Sequence, residues 1–288
     1  MITPVMDFIF QALKYLIVNH LSNKPGFPTL EYYLVHHPTI QNFAWKQNHT
    51  PASSPLFLSL SITAYLSSVF LLSRSSSSPS VNPNLLKKLT ILHNMILLSI
   101  SFTMALGCTL SVLLILPNVY HLVCFPKQTL PSGPLFFWAY MFYLSKIYEF
   151  MDTLLIIISK SRKRLTFLHV YHHATVPIMC YISLHTSQSM FPGVLVTNAV
   201  VHVIMYFYYL LCTFGIRPKW KKLVTDCQIV QFYSSFAIMG WIFYYHFTGS
   251  GCSGILGWYF DAVFIASLLV LFLDFHSKNY SKKNIKEN

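Results

Sequence analysis

The stretch 165–184, LTFLHVYHHATVPIMCYISL, places His169, His172 and His173 within a segment that is otherwise suited to a bilayer. A helix crossing the hydrocarbon needs about 20 mainly apolar residues. This segment has the length but is more polar than a lipid-facing helix, so it is read as a span that lines something. The spacing i, i+3, i+4 puts all three imidazoles on one helical face. Ionisable side chains are expensive inside a membrane and mark function there, and packing alone is a poor reason for three of them so close together.

The rest of the chain agrees with a membrane setting. Of 288 residues 54% are apolar and only 10% charged, and the mean hydropathy is +0.51, far outside the range of a soluble domain. Spans are expected at 56–73, 95–117, 134–158, 165–184, 191–213, 223–247 and 255–275. The fold class is therefore an all-α polytopic membrane protein with seven transmembrane helices. Residues 1–55 form a lumenal or interfacial lead-in, 56–275 the membrane domain and 276–288 a basic tail. The first 22 residues carry Asp7 and Lys14 and no convincing small-residue cleavage site, which argues against a cleaved signal peptide.

The formal charge of +12 does not point to nucleic acid, because the cations sit in short loops between apolar runs instead of on one basic face. Fifteen of the twenty Lys and Arg fall after spans 1, 3, 5 and 7. Cytosolic loops are enriched in these residues, so the N-terminus is expected in the lumen and the C-terminus in the cytosol. On that sidedness Asn48-His49-Thr50 is a candidate glycosylation site, weakened by Pro51. Cys124 and Cys252 fall in two non-cytosolic loops, where an oxidising lumen lets them pair; two free thiols are the alternative. The stretch 75–84 reads as a flexible cytosolic linker.

Polar residues recur at helical spacing on four spans. Lys146, Glu149, Asp152 and Thr153 share one face of the third, and the histidine box lies on the fourth. Asn198, His202, Met205, Tyr206 and Tyr209 line the fifth; Thr225, Gln228 and Gln231 line the sixth. Lys146 and Glu149 are spaced for an intrahelical ion pair, which leaves Asp152 without a partner on its own helix. Gln228 and Gln231 either glue helices together or touch substrate. His93, His185, His246 and His276 stand alone near span ends and read as interfacial or capping residues.

Three chemistries suit a histidine box. Di-iron desaturases and hydroxylases use such boxes, but they need several, and this chain offers one, with His202 as the only in-membrane supplement. In acyl transfer an imidazole attacks a thioester and carries the acyl group, with a neighbouring His or Gln orienting the ring or stabilising the oxyanion; this needs no metal. Cys180, seven residues beyond His173, is a rival nucleophile. A seven-span lipid receptor or transporter is the third reading, and the density of His, Asn and Gln on consecutive helices counts against it.

Taken together, the four clusters resemble the signature of the ELO family of very-long-chain fatty acid elongases, closest in character to its plant-type members. In order, KIYEFMDT (146–153) is similar to KxxExxDT, HVYHH (169–173) to HxxHH, NAVVHVIMYFYY (198–209) to NxxxHxxMYxYY and TDCQIVQ (225–231) to TxxQxxQ. The resemblance implies a 3-ketoacyl-CoA synthase of the endoplasmic reticulum that condenses a long acyl-CoA with malonyl-CoA, releasing carbon dioxide and CoA, with no metal or redox cofactor. It implies spans 2 to 7 packed as an inverted six-helix barrel around an acyl tunnel. It also implies His172 as the nucleophile with His202 as its partner, within a catalytic set completed by His169 and His173. Lys146, Glu149, Asp152, Asn198, Tyr206, Gln228 and Gln231 would line the substrate site. Arg162, Arg164, Lys221 and Lys222, at the cytosolic mouth, either hold the CoA phosphates or only set topology. Implied partners are membrane lipids and the ketoacyl reductase, dehydratase and enoyl reductase of the elongation cycle. The tail departs from the family in ending Ile285-Lys286-Glu287-Asn288, without dilysine retrieval spacing.

Overall fold

A computed structural model of the chain describes residues 2–74 and 81–280, the side chains of Ile2, Thr3, Pro4, Arg74 and Arg162 excepted. Within these residues the protein is all-helical, with no strands. The lead-in forms α1 (Ile2–Ser22), the short helix α2 (Phe27–Glu31), a π-turn at Tyr32–His36 and α3 (Pro38–Gln41). The bundle follows: α4 (Pro55–Arg74), α5 (Pro83–Ile115), α6 (Val119–Val123), α7 (Pro134–Tyr148), α8 (Phe150–Ile158), α9 (Phe167–His185), α10 (Phe191–Thr213), α11 (Lys221–Thr248) and α12 (Ile255–Tyr280).

Among the described residues four helices are long and apolar enough to cross a membrane: α4, α5, α10 and α12. The chain is a polytopic membrane protein. Helices also form in the other three segments expected to span, as α7 with α8, α9 and α11. In α9 and α11 polar residues lower the hydropathy, whereas the third segment is divided by its break into α7 and α8, 15 and 9 residues long. The helix α5 starts twelve residues before the expected second span, because Pro83 takes the first helical turn and the Asn82 side chain accepts the Asn84 N–H at 2.9 Å. Lys87 and Lys88 therefore belong to a helix, not to a loop.

The packing has a centre and a periphery. In α5 the most apolar window is 50% buried inside the protein, and in α4 only 11%, so α4 shows most of its surface to the surrounding medium. The most extensive helix pair is α5 against α10, with α7 against α9 and α11 against α12 completing the core. Gly107 of α5 is required where it stands. A Cβ there would run into the indole of Trp138 on α7, whose Nε1–H continues to the Leu34 carbonyl at 3.1 Å and ties the lead-in to the bundle.

The two ends of the bundle differ. At one end Cys124 and Cys252 form a disulfide with Cα atoms 4.9 Å apart. There Ser189 donates to the Ser253 carbonyl at 2.9 Å and accepts from the Phe125 N–H at 3.0 Å, which ties three connections into one layer. The helix α1 docks at the same end through Lys14 to the Leu116 carbonyl at 3.1 Å and through Asp7, which accepts the Val119 N–H at 3.1 Å. Asn48 is exposed in a turn there, while the Thr50 hydroxyl donates to the Ala44 carbonyl at 3.3 Å. The opposite end carries the basic connections 160–166 and 214–220. The linker residues 75–80 and tail residues 281–288, including Lys282, Lys283 and Lys286, lie outside the described residues.

Candidate functional site

The third polar helix is not continuous. It breaks at Glu149, which joins α7 to α8, and the Asp152 N–H bonds the Glu149 carbonyl at 3.0 Å in a tighter i+3 turn. In α9, Pro177 has no N–H to give the carbonyl of His173 four residues earlier, so the ladder is loosened at the last residue of the box. The start of α9 is held by Thr166, whose hydroxyl accepts the His169 N–H at 3.2 Å. Both irregularities fall where the polar side chains meet.

Lys146 and Glu149 are buried, 3% and 2% exposed, and pair at 2.7 Å. The pair is not isolated: the Lys146 ammonium also donates to His202 Nε2 at 3.0 Å and lies over the ring of Phe142, 4.5 Å from its centroid. Because an ammonium only donates, Nε2 must be the accepting nitrogen of His202. Its Nδ1–H then donates to the Asn198 carbonyl at 2.9 Å, which fixes one neutral tautomer. A buried ion pair survives when its remaining lone pairs and protons are satisfied, and His202 supplies that satisfaction.

Asp152 finds its partners on other helices. His93 Nε2, on α5, lies 3.0 Å from Oδ1, and the Tyr206 hydroxyl, on α10, donates to Oδ2 at 2.9 Å. His93 is thus a buried member of the cluster, 5% exposed, which corrects its reading as an interfacial or capping residue. Its position inside the extended α5 places it there. The other solitary histidines differ: His246 Nδ1 accepts the Cys252 N–H at 3.0 Å, a capping role, and His276 pairs with Asp226 at 2.9 Å.

The box histidines divide. His169 Nε2 is 2.8 Å from the Thr153 hydroxyl, itself 3.1 Å from the Tyr65 hydroxyl of α4. The His173 ring lies between its neighbours, 4.3 Å from that of His169 and 5.4 Å from that of His172. His172 Nδ1 is sealed from solvent with no hydrogen-bond partner, and so is Asn198 Oδ1. Among the described residues no three His, Cys, Asp or Glu side chains converge as ligands for a metal ion.

The fourth stripe joins this cluster only at its edge. Gln228 reaches the Met205 sulfur at 3.6 Å and Gln231 is buried one turn further on. At the basic end the Arg164 guanidinium lies 5.9 Å from the Tyr209 ring, and Lys221 is exposed. Lys222 pairs with Asp226 at 2.9 Å, an exposed bridge worth little. Arg162 lies outside the described side chains.

Comparison with known proteins decides what this cluster belongs to. The model of the GNS1/SUR4 (ELO) family matches residues 50–288, which covers all four polar stripes. The chain belongs to the ELO family. Among its relatives is the "Fatty acid elongase A" of Dictyostelium discoideum, 34% identical over 253 residues, 85% of this chain and 91% of that protein. "Fatty acid elongase 3-like" of Arabidopsis thaliana is 26% identical over 88% of this chain and 92% of its own. "Very long chain fatty acid elongase 5" of Xenopus laevis is 37% identical over 49% of this chain and 48% of its own. Within the ELO family match, His93, discussed above, joins the site although the sequence reading did not assign it there. Asp261 of α12, also unassigned, is 1% exposed and lies toward the disulfide end. Asp261 is a carboxylate inside an apolar span, and that is a signal the sequence did offer.

Proposed function

We propose that the chain is a very-long-chain 3-ketoacyl-CoA synthase. It condenses a long-chain acyl-CoA with malonyl-CoA to 3-ketoacyl-CoA, carbon dioxide and CoA, the first step of a fatty acid elongation cycle. The observation that carries this reading is the contrast within the box. His169 is held by a hydrogen bond, whereas His172, one turn further along α9, has its Nδ1 buried and unbonded. A ring with nothing to hold in the resting protein is the one available for covalent work.

In the first half-reaction the His172 imidazole attacks the thioester carbonyl, the C–S bond breaks, and CoA leaves as its thiol with the imidazole proton. In the second, the malonyl carboxylate departs as carbon dioxide and its bonding electrons form an enolate at the adjacent carbon. The enolate attacks the acyl-imidazole carbonyl, the C–N bond breaks, and the departing imidazole nitrogen takes up a proton from water, which restores neutral His172. Asn198 and Gln228 orient the thioester or bear developing negative charge. Lys146 holds His202 in one tautomer, and Glu149 and Asp152 position the cations and rings around it. No metal or redox cofactor takes part.

The same reading makes all seven apolar segments spans, with spans 2 to 7 packed as a six-helix barrel in the endoplasmic reticulum membrane. The N-terminus and the Cys124–Cys252 end are lumenal; the basic end is cytosolic. Arg162, Arg164, Lys221 and Lys222 then meet the CoA phosphates at the mouth, and the reductases and dehydratase of the cycle take the product onward. Membranes containing the chain should incorporate labelled malonyl-CoA in a manner dependent on added acyl-CoA, and His172→Ala should abolish it. No incorporation with any primer overturns the proposal. An acyl adduct found by mass spectrometry on Cys180 keeps the reaction and overturns the mechanism.

A further inference from the structure

The helix α4 is the least buried of the long apolar helices and lies against α8 and α9. Its inner face sends one polar group into the bundle. Tyr65 is buried, and its ring stacks on Phe150 with centroids 4.4 Å apart and planes 17° apart. Phe150 is the first residue of α8, immediately after the break at Glu149. On the next turn Thr153 is buried, its hydroxyl 3.1 Å from that of Tyr65 and 2.8 Å from His169 Nε2. Among the described residues the Tyr65–Thr153 contact is the one side-chain hydrogen bond that α4 makes with another helix.

The hydrogens in this row decide its direction. Each hydroxyl has one to give. If Tyr65 donates to Thr153 and Thr153 donates to His169 Nε2, both are used. If His169 Nε2–H donates instead, either the phenolic hydrogen or that of Thr153 is left over, because neither hydroxyl has another partner among the described residues. A buried donor without a partner is costly, so the row runs inward from α4. His169 Nε2 is then an acceptor, and the neutral ring carries its proton on Nδ1.

We propose that Tyr65 and Thr153 are positioning residues for the histidine box: α4 hands hydrogen bonds inward and holds His169 in its Nδ1–H tautomer and in one orientation. The His169 ring lies 4.3 Å from that of His173, which in turn meets that of His172 at 5.4 Å. A turned His169 therefore disturbs the packing against which the reacting ring is set. The inference deepens the condensing activity proposed above and rests on it for its kinetic consequence. The tautomer does not depend on that activity.

The purified full chain in detergent, isotope-labelled at the histidine nitrogens, tests the direction by magnetic resonance, with His169→Gln identifying the signals by their loss. In the native protein Nδ1 of His169 should carry the proton. Tyr65→Phe keeps the ring on Phe150 but frees the Thr153 hydroxyl to turn to a carbonyl of the preceding turn, as helical threonines do, so the preference should relax toward a mixture. A proton on Nε2 in the native protein overturns the proposal, as does a tautomer that Tyr65→Phe leaves unchanged. In malonyl incorporation, Tyr65→Phe should lower kcat about fivefold with KM nearly unchanged. Thr153→Val should lower it further, and Thr153→Ser should keep most of the native rate. Adding Tyr65→Phe to Thr153→Val should change little, because Tyr65 acts through Thr153. Additive losses, or a native kcat in Tyr65→Phe, overturn the proposal and leave Tyr65 as an anchor for α4 alone. A native chain that incorporates nothing removes the condensation, and the nitrogen signals still decide the positioning.

Discussion

Along α7 and α8 each charged group of the buried stripe has a partner. Lys146 meets Glu149 and His202, Asp152 meets His93 and Tyr206, and Thr153 meets His169 and Tyr65. Facing them on α9 and α10, His172 Nδ1 and Asn198 Oδ1 are equally buried and have none. The two regions hold comparable polarity and treat it in opposite ways. A saturated network fixes geometry, because moving any member strips hydrogen bonds from the others. On the proposed function, the unsatisfied atoms of α9 and α10 are where the reacting groups come. Motif membership alone treats Lys146 and His172 alike; the hydrogen-bond accounting separates a scaffold from a reactive face.

The largest effect that tests this contrast is on turnover. His172→Ala should lower acyl-dependent malonyl incorporation at least about a thousandfold, while thermal unfolding of the purified protein shifts by little, because no hydrogen bond to Nδ1 is lost. A large fall in stability would place His172 with the scaffold and break the comparison. On the scaffold side, Glu149→Ala strands a buried ammonium and should cost about 3–5 kcal/mol, read as loss of folded protein in detergent. The double variant Lys146→Met with Glu149→Leu should recover much of that stability without restoring turnover, since His202 then loses the donor that sets its tautomer.

The disulfide end provides a control remote from both regions. Cys252→Ser opens a link across 128 residues of sequence separation and should reduce stability by about 2–4 kcal/mol. Turnover per folded molecule should be retained at moderate temperature. A maleimide gel shift before and after reduction establishes the bond itself, and a matching loss of turnover would show that the two ends are coupled.

Much of this was legible in the chain, and what was not has physical causes. Helical spacing put Lys146, Glu149, Asp152 and Thr153 on one face because that is a property of a single helix. The partner of Asp152 was not legible, because His93 lies 59 residues away on a helix that begins before its apolar run: Lys87 and Lys88 read as loop charges, yet they occupy the early turns of α5. Asp261 stands alone, with the apolar Phe264 and Ile265 at i+3 and i+4, so no stripe announces it. The break at Glu149 left no trace in hydropathy, since its residues are helix formers on both sides. Periodicity reports faces, whereas partnerships between helices require the packing.

The His93 contact yields the smallest and most discriminating effect. If His93 and Tyr206 jointly hold Asp152, removing either leaves the carboxylate one bond short, and the second removal adds less than the first. His93→Phe preserves the ring volume against Tyr148, whose centroid is 5.2 Å away, so its loss isolates the hydrogen bond from the packing. Such a bond to a charged group is worth about 1.5–3 kcal/mol. His93→Phe and Asp152→Asn should each cost an amount of that order, and together clearly less than their sum. Turnover should fall through kcat with KM nearly unchanged, because Asp152 acts on the placement of Tyr206 and the neighbouring rings and not on the bound chain. Additive losses would show that His93 packs beside Asp152 without holding it, and the scaffold would then begin at α7 instead of reaching back to α5.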